Sequence, residues 1–215
     1  MKLLCTKRTR AFTLMELLIV IAIMAVVAAL VVGLAGVAGE KQKLSRARAE
    51  GDRIAMMIET YRLKLGVYPP RNPDLTKPER NSLIYELAGA VRKPVDPPVY
   101  ETPWGDVTAA DLMAEFGVSG IINSSDDRTE VKRILKGLKP DQYVETGNKM
   151  KRLVIPIDDA NGSRPNFWQY LSPTNATDSV TNKMRNPEAF DLWVDMKIGR
   201  LLGSNKVVTI GNWKD

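Results

Sequence analysis

The hydrophobic residues of this chain are distributed unevenly. No residue from Leu17 to Gly39 is charged, and this stretch holds roughly 23 residues. About 20 apolar residues are enough to cross a bilayer as a helix. After Gly39 the apolar and polar positions are interspersed, as they are in soluble proteins. The pattern therefore predicts an apolar N-terminal helix followed by a soluble domain.

The helical pattern continues past Gly39 but becomes one-sided. Apolar or small residues recur at alternating spacings of three and four, which places them on one stripe of a helix, and charged residues occupy the other faces. Gly66 is suited to end the helix, and Pro69 and Pro70 prevent its continuation. We expect one long helix over residues 12–66, transmembrane over 12–39 and amphipathic over 40–66. Its apolar stripe comprises Leu44, Ala47, Gly51, Ile54, Ile58, Tyr61 and Leu65.

The rest of the chain, residues 67–215, predicts an α+β head in two parts. The first part, 71–149, shows three helical patterns and a proline-rich loop over 93–104. These helices are expected over 78–92, 108–116 and 126–138. The second part, 150–215, shows short β-branched and aromatic segments with short connections, which favour an antiparallel sheet that covers the apolar stripe. Its strands are expected over 152–157, 166–171, 190–196 and 206–210.

The composition argues against most catalytic and metal sites. The 215 residues include no histidine and a single cysteine, Cys5. A Ser-His-Asp triad, a Cys-His pair, a histidine-ligated zinc site and an internal disulfide are therefore excluded. No nucleotide motif is present, and Asp126-Asp127 lacks the spacing of a calcium loop. We expect no catalytic residue, no metal ligand and no cofactor, and hence a protein that is not an enzyme.

The positive charge of the chain is concentrated at its start. The formal net charge is +6, no acid lies among the first 11 residues, and loss of that segment would leave +2. We therefore do not interpret the charge as a sign of nucleic-acid binding. Four cations along the third predicted helix are interpreted as a solvated face rather than a DNA-binding surface. They are Lys132, Arg133, Lys136 and Lys139.

The order of features at the N-terminus differs from that of an ordinary secretory signal. Such a signal places its small-residue cleavage site after a hydrophobic run of about 7–15 residues. Here a small residue, Ala11, lies before the run, between the basic residues and Phe12. Glu16 lies inside the start of the run, where an ionisable group is energetically costly. Two interpretations stay open: Glu16 is solvated at the interface, or it pairs with a cation inside the membrane.

Residues 7–23, Lys-Arg-Thr-Arg-Ala-Phe-Thr-Leu-Met-Glu-Leu-Leu-Ile-Val-Ile-Ala-Ile, resemble the prepilin signature of type IV pilins and pseudopilins. The resemblance implies a leader peptide over residues 1–11, cleavage between Ala11 and Phe12 by a prepilin peptidase, and N-methylation of Phe12. Ala11 stands where the family more often has glycine. The resemblance also implies that Glu16 serves filament assembly by pairing with the amine of Phe12 on a neighbouring subunit. Such a pair would fix the axial register, since a misplaced subunit would leave a buried carboxylate unpaired.

The head is similar, more weakly, to major pseudopilins of type II secretion. The resemblance implies a pilin-like fold in which residues 71–149 form a helical insertion. Relatives of this kind hold calcium in the loop before a closing Asn-Trp by means of acidic side chains. The loop 197–209 of this chain contains no Asp or Glu, so we expect no such site. The similar segments are 61–69, 166–170, 190–193 and 210–213.

The resemblance implies a structural filament subunit, a pseudopilin of a type II secretion system. It implies a single-pass protein of the bacterial inner membrane whose C-terminal head lies in the periplasm and which enters a periplasmic filament. The implied partners are further copies of the chain, other pseudopilins, the prepilin peptidase, the assembly platform with its ATPase, and membrane lipid; nucleic acid is not expected. Two alternatives stay open, a type IV pilus subunit for adhesion, motility or DNA uptake and a signal-anchored membrane protein of unrelated function. The absence of a second cysteine favours a pseudopilin, because many pilus subunits carry a C-terminal disulfide.

Overall fold

The computed structural model describes residues 13–173, 184–201 and 204–213. Its contacts divide the chain into two compact units, residues 1–42 and 43–215. Helix α1 begins at Leu14 and ends at Leu65, so it contributes residues to both units. Gly66, with a φ of 79°, donates its N–H to the carbonyl of Arg62 at 2.8 Å, and this left-handed residue ends the helix as expected.

The first unit consists, in the described residues, of the N-terminal part of α1. The helix passes Gly33, Gly36 and Gly39 without a break. Within the described part of the chain, no helix combines the length and the hydropathy of a membrane span. The span over residues 12–39 stays a prediction.

Residues 71–139 contain both helices and strands and are called the subdomain, whereas residues 140–149 lead into the C-terminal sheets. The strands of the subdomain form a sheet in the order β3-β2-β1-β4, in which β1 and β4 are parallel and the other pairs are antiparallel. The prediction of a helical insertion is therefore wrong in part. The elements are α2 (Leu83–Ala88), β1 (Ala90–Lys93), β2 (Val99–Thr102), β3 (Gly105–Thr108), α3 (Ala109–Phe116) and β4 (Ser124–Ser125).

The second predicted helix is confirmed in detail as α3. The side chain of Thr108 accepts from the backbone N–H of Asp111, and the Asp111 carboxylate accepts from the backbone N–H of Thr108. This capping box satisfies two donors that a helix start leaves unpaired. Gly117, with a φ of 70°, ends the helix.

The first predicted helix is much shorter than expected. Only Leu83–Ala88 is helical, because Gly89 has a φ of 71° and directs the chain into β1. The proline-rich segment 93–104, expected as a loop, contains the turn between β1 and β2 and also the whole of β2. Its Trp104 packs on Tyr85 and Tyr143.

The third predicted helix, over 126–138, is wrong. After one turn, in which the N–H of Glu130 donates to the carbonyl of Asp127 at 3.1 Å, the backbone of this segment bonds to other parts of the chain. The N–H of Lys132 donates to the Asn123 side chain at 3.0 Å, and the N–H groups of Ile134 and Leu135 donate to the carbonyl of Leu87. We call residues 131–139 the strap, since they cross the subdomain in an irregular conformation.

The C-terminal part contains two three-stranded sheets, which are antiparallel as predicted, whereas the sequence predicted a single sheet. The predicted strand 166–171 is divided into two strands, one in each sheet. The strand orders of the two sheets are β5-β6-β7 and β10-β9-β8. A 3₁₀ turn at Pro140–Gln142 precedes them. The strands are β5 (Tyr143–Glu145), β6 (Lys151–Ile155), β7 (Asn166–Phe167), β8 (Gln169–Leu171), β9 (Asp191–Leu201) and β10 (Ser204–Gly211).

The core of the second unit lies on the predicted stripe of α1. Ala47, Ile54, Ile58 and Tyr61 are buried in one cluster together with inward side chains of β9 such as Val194. At Gly51 a Cβ atom would lie 3.1 Å from the ring of Trp168, so the absence of a side chain lets the indole pack against the helix. The stripe therefore packs on the protein's own domain.

A buried carboxylate joins the subdomain to the C-terminal sheets. Glu115, on α3, accepts from Asn148 at 2.9 Å and forms ion pairs with Arg80 at 3.4 Å and Arg152 at 3.2 Å. Arg152 lies on β6, and its guanidinium stacks over the ring of Phe167 on β7. The α3 helix is thus fixed to the β5-β6-β7 sheet by charge as well as by apolar packing.

Candidate processing and assembly site

The first turn of α1 is closed by Thr13 and Glu16. The Thr13 hydroxyl accepts from the backbone N–H of Glu16 at 3.2 Å and donates to the Glu16 carboxylate at 2.9 Å. The backbone N–H of Thr13 donates to the same carboxylate oxygen at 2.9 Å. These contacts form a capping box, which starts the helix at Leu14 and fixes the carboxylate beside the helix N-terminus.

The helix that follows is apolar on every face. From Leu14 to Val27 its large apolar side chains are exposed, with fractions from 44% to 83%. A continuous apolar surface of this kind marks a site that contacts a membrane or another protein. Glu16 is the one acidic group in the first turn of this surface.

The predicted cleavage site lies outside the described residues. Ala11 and Phe12 are therefore not placed relative to Glu16. Cleavage and methylation at these residues stay predictions from the sequence. Of the predicted site residues, the described part of the chain includes Glu16, which it places beside Thr13.

The geometry at Glu16 suits the exchange of one donor for another. Thr13 offers the carboxylate a neutral hydroxyl and a neutral amide. A free ammonium group carries a full charge and three donors, and bonds between charged groups are roughly twice as strong as neutral ones. An amine that arrives at Glu16 can therefore compete with the bonds to Thr13.

Thr13 is the residue that the sequence interpretation missed. The pattern Thr-x-x-Glu before an apolar run is itself the signature of a capping box and would have identified the contact. The prepilin resemblance directed the interpretation of Glu16 to a neighbouring subunit and left its own helix turn aside.

The closing Asn212-Trp213 pair is structural in this chain. The Asn212 side chain accepts from the N–H of Leu192 at 2.9 Å and donates to the carbonyl of Phe190 at 2.8 Å. The ring of Trp213 lies 6.0 Å from that of Trp193. These contacts fix the end of β10 to the start of β9.

Comparison with known proteins supports the N-terminal assignment. Residues 6–32 match the family described as the prokaryotic N-terminal methylation motif. No curated protein and no solved structure matches the chain. The motif indicates a type IV pilin-like protein, pseudopilin or pilin, and points to a structural subunit that a prepilin peptidase processes and that enters a filament.

Proposed function

We propose that the chain is a pseudopilin of a type II secretion system, anchored in the inner membrane before assembly into a periplasmic filament. The observation that carries the proposal is the methylation motif over residues 6–32, within which Glu16 interrupts an apolar helix start. In this proposal Phe12 becomes the methylated N-terminus, and its amine pairs with Glu16 of the next subunit.

Two different interactions along α1 drive assembly and fix its geometry. The exposed apolar residues from Leu14 to Val27 supply affinity between subunits, because burial of apolar surface is favourable and non-directional. Such packing alone permits many axial positions. The pair between an amine and Glu16 selects one of them, because every other position leaves a carboxylate in an apolar surrounding without its cation.

Two features of the head favour a pseudopilin over a pilus subunit. The sequence has no second cysteine for a C-terminal disulfide. The head also carries Asn212-Trp213 after β10, which resembles the closing Asn-Trp of major pseudopilins. The Asn212 side chain bonds to the backbone of Phe190 and Leu192.

Intact-mass measurement tests the processing step. Full-length protein is expressed with and without a prepilin peptidase and extracted from membranes. We expect the peptidase to remove Met1–Ala11 and the mass to include one added methyl group. As matched controls, Ala11→Gly keeps a small residue and is expected to be processed, whereas Ala11→Leu is expected to block cleavage. A protein that retains Met1 in the presence of the peptidase would contradict the proposal.

Deletion of the gene tests the choice between secretion system and pilus. We expect loss of secreted enzymes from the culture supernatant, with surface motility and DNA uptake unchanged. Loss of motility or DNA uptake with normal secretion would assign the chain to a type IV pilus instead.

A further inference from the structure

The strap approaches the start of the head's portion of α1. The Arg53 side chain donates to the carbonyl of Lys136 at 2.6 Å, and Arg46 forms an ion pair with Asp141 at 2.7 Å. Arg46 precedes Arg53 by about two helical turns, or about 10 Å. The chain therefore runs toward the N-terminal end of this unit as it passes from Lys136 to Asp141.

This course gathers cations around one end of the unit. Lys136 and Lys139 are exposed, and Lys43 is exposed one turn before Arg46 on the same helix face. No acid lies between Val131 and Lys139. We call Lys43, Arg46, Lys136 and Lys139 the basic patch. Two carboxylates lie beside it, Asp141, which pairs with Arg46, and Glu50, which also interacts with Arg46.

The strap is held by backbone contacts that leave the lysine side chains outside. The carbonyl of Lys136 is bonded by Arg53, and the N–H of Lys139 donates to the Gln142 side chain at 2.9 Å. Because the backbone is already fixed, binding of the ammonium groups to a partner costs side-chain entropy but little backbone entropy. The patch is therefore organised in advance for an anionic surface.

The patch is close in sequence to the uncharged stretch. Lys43 follows Gly39, the last residue of that stretch, by four positions. Clusters of basic residues next to a membrane segment bind anionic lipid headgroups. An anchored protein also meets its own membrane at a high effective concentration.

We propose that the basic patch binds anionic phospholipid headgroups, and that residues 71–149 serve to add Lys136 and Lys139 to a lipid contact that α1 begins with Lys43 and Arg46. This inference rests on the proposed function, since it takes α1 to be membrane-anchored. Nucleic acid fits less well: four cations beside two carboxylates neutralise few phosphates, and the mature chain would carry a net charge of only +2.

Lysine footprinting in nanodiscs tests the lipid contact. The full mature chain is reconstituted in discs of phosphatidylcholine alone or with one third phosphatidylglycerol, and acetylation of each lysine is followed by mass spectrometry. We expect Lys43, Lys136 and Lys139 to react about fivefold more slowly in the anionic discs, since each such cation gains roughly a fivefold preference for an anionic surface. The exposed lysines Lys149 and Lys206 are internal controls and are expected to react equally in both discs. Half-molar salt should abolish the difference.

A charge-reversed variant separates lipid binding from local folding. In K136E/K139E we expect Lys43 to lose most of its protection in anionic discs, whereas K149E/K206E should keep it. Equal reactivity of the patch in both kinds of disc would overturn the proposal. The proposal would also be overturned if an added DNA duplex protected the patch lysines in phosphatidylcholine discs as strongly as anionic lipid does. The proposed function is tested independently, because intact mass of the same sample reports whether Phe12 is the processed and methylated N-terminus.

Discussion

Gly89 combines two constraints at a single position. Its φ is 71°, which residues with a Cβ rarely adopt, and a Cβ there would lie 2.5 Å from Val131 in the strap. The glycine therefore ends α2 and also lets the strap cross directly above it. A sequence pattern reveals the first property, because glycine often follows a helix, but it does not reveal the crossing segment.

Replacement of this glycine should be costly. We expect Gly89→Ala to lower the free energy of unfolding by about 3 kcal/mol, the sum of backbone strain and overpacking against Val131. The matched control is Gly66→Ala, where φ is 79° and no heavy atom lies within 4 Å of the added Cβ. That variant should lose about 1–2 kcal/mol. Denaturant unfolding of both variants measures the difference, and equal losses would contradict the role of the strap.

Glu86 is a fully buried carboxyl group held by three neutral donors. The Tyr61 hydroxyl donates at 2.7 Å, and the N–H groups of Ile122 and Asn123 donate at 3.0 Å each. Burial raises the pKa of Glu86, although these bonds oppose the rise. The folded head therefore binds this proton more tightly than the unfolded chain does.

The raised pKa predicts a specific dependence of stability on pH. The contribution of Glu86 is fully present below the pKa of an unfolded glutamate, about 4.3, and is lost as pH rises through the higher folded pKa. We expect Glu86→Gln, which cannot ionise, to remove this loss. The measurement is the free energy of unfolding of the parent protein and of Glu86→Gln from pH 4 to pH 8, and the difference between the two is followed against pH. Parallel profiles would show that Glu86 does not titrate in this range.

The elements of the head were predictable where local bonds decide them. Thr108 and Gly117 bracket α3 in the sequence and in the structure, because a capping box and a left-handed glycine are formed by residues close in sequence. The segment 126–138 was not predictable in this way. Its backbone is bonded by Leu87, which is distant in sequence, and by the side chain of Asn123, nine residues before Lys132. These contacts replace the helical bonds that its residues would otherwise form.

Asn123 is the main attachment of the strap. Its side-chain oxygen accepts from the N–H of Lys132 at 3.0 Å, and its side-chain nitrogen donates to the carbonyls of Lys132 and Glu86 at 2.7 Å. We expect Asn123→Ala to lower the free energy of unfolding by about 2–3 kcal/mol, since it leaves buried backbone groups unpaired. Hydrogen exchange of residues 131–139 should accelerate more than that of α3.

The control for this substitution is an exposed turn residue in the same region. Asp127 accepts from the N–H of Thr129 at 2.8 Å, but its side chain is exposed. Asp127→Ala should change stability by no more than about 0.5 kcal/mol. If the amide hydrogens of residues 131–139 exchange equally fast in both variants, Asn123 is not the main attachment of the strap.

At the scale of the whole molecule, the two units follow different physical rules. The head buries its apolar side chains against α1 and the sheets, whereas the N-terminal unit exposes them from Leu14 to Val27. The sequence distinguished these units because a continuous apolar run and a one-sided stripe differ in pattern. The capping contact of Glu16 with Thr13 shows that the carboxylate already has a partner in the single chain. In the assembly step that we propose, an arriving amine would therefore exchange these bonds rather than create the first one.

Glu16→Ala tests whether this carboxylate governs assembly. The substitution removes a charge from an apolar surface, so insertion into the membrane should be unchanged or improved. The capping box is lost as well, at about 1 kcal/mol, which is small for a helix held on a membrane. We expect processed subunits to accumulate in membranes while filaments recovered by shearing and sedimentation fall at least tenfold, because the register of packing is no longer selected. Asp52→Ala removes an exposed carboxylate from the head's part of α1 and should leave the yield unchanged. Thr13→Val removes the side-chain cap but keeps Glu16. If its filament yield is close to that of the parent protein, the defect of Glu16→Ala is due to the carboxylate itself. A normal filament yield from Glu16→Ala would exclude a role for Glu16 in register.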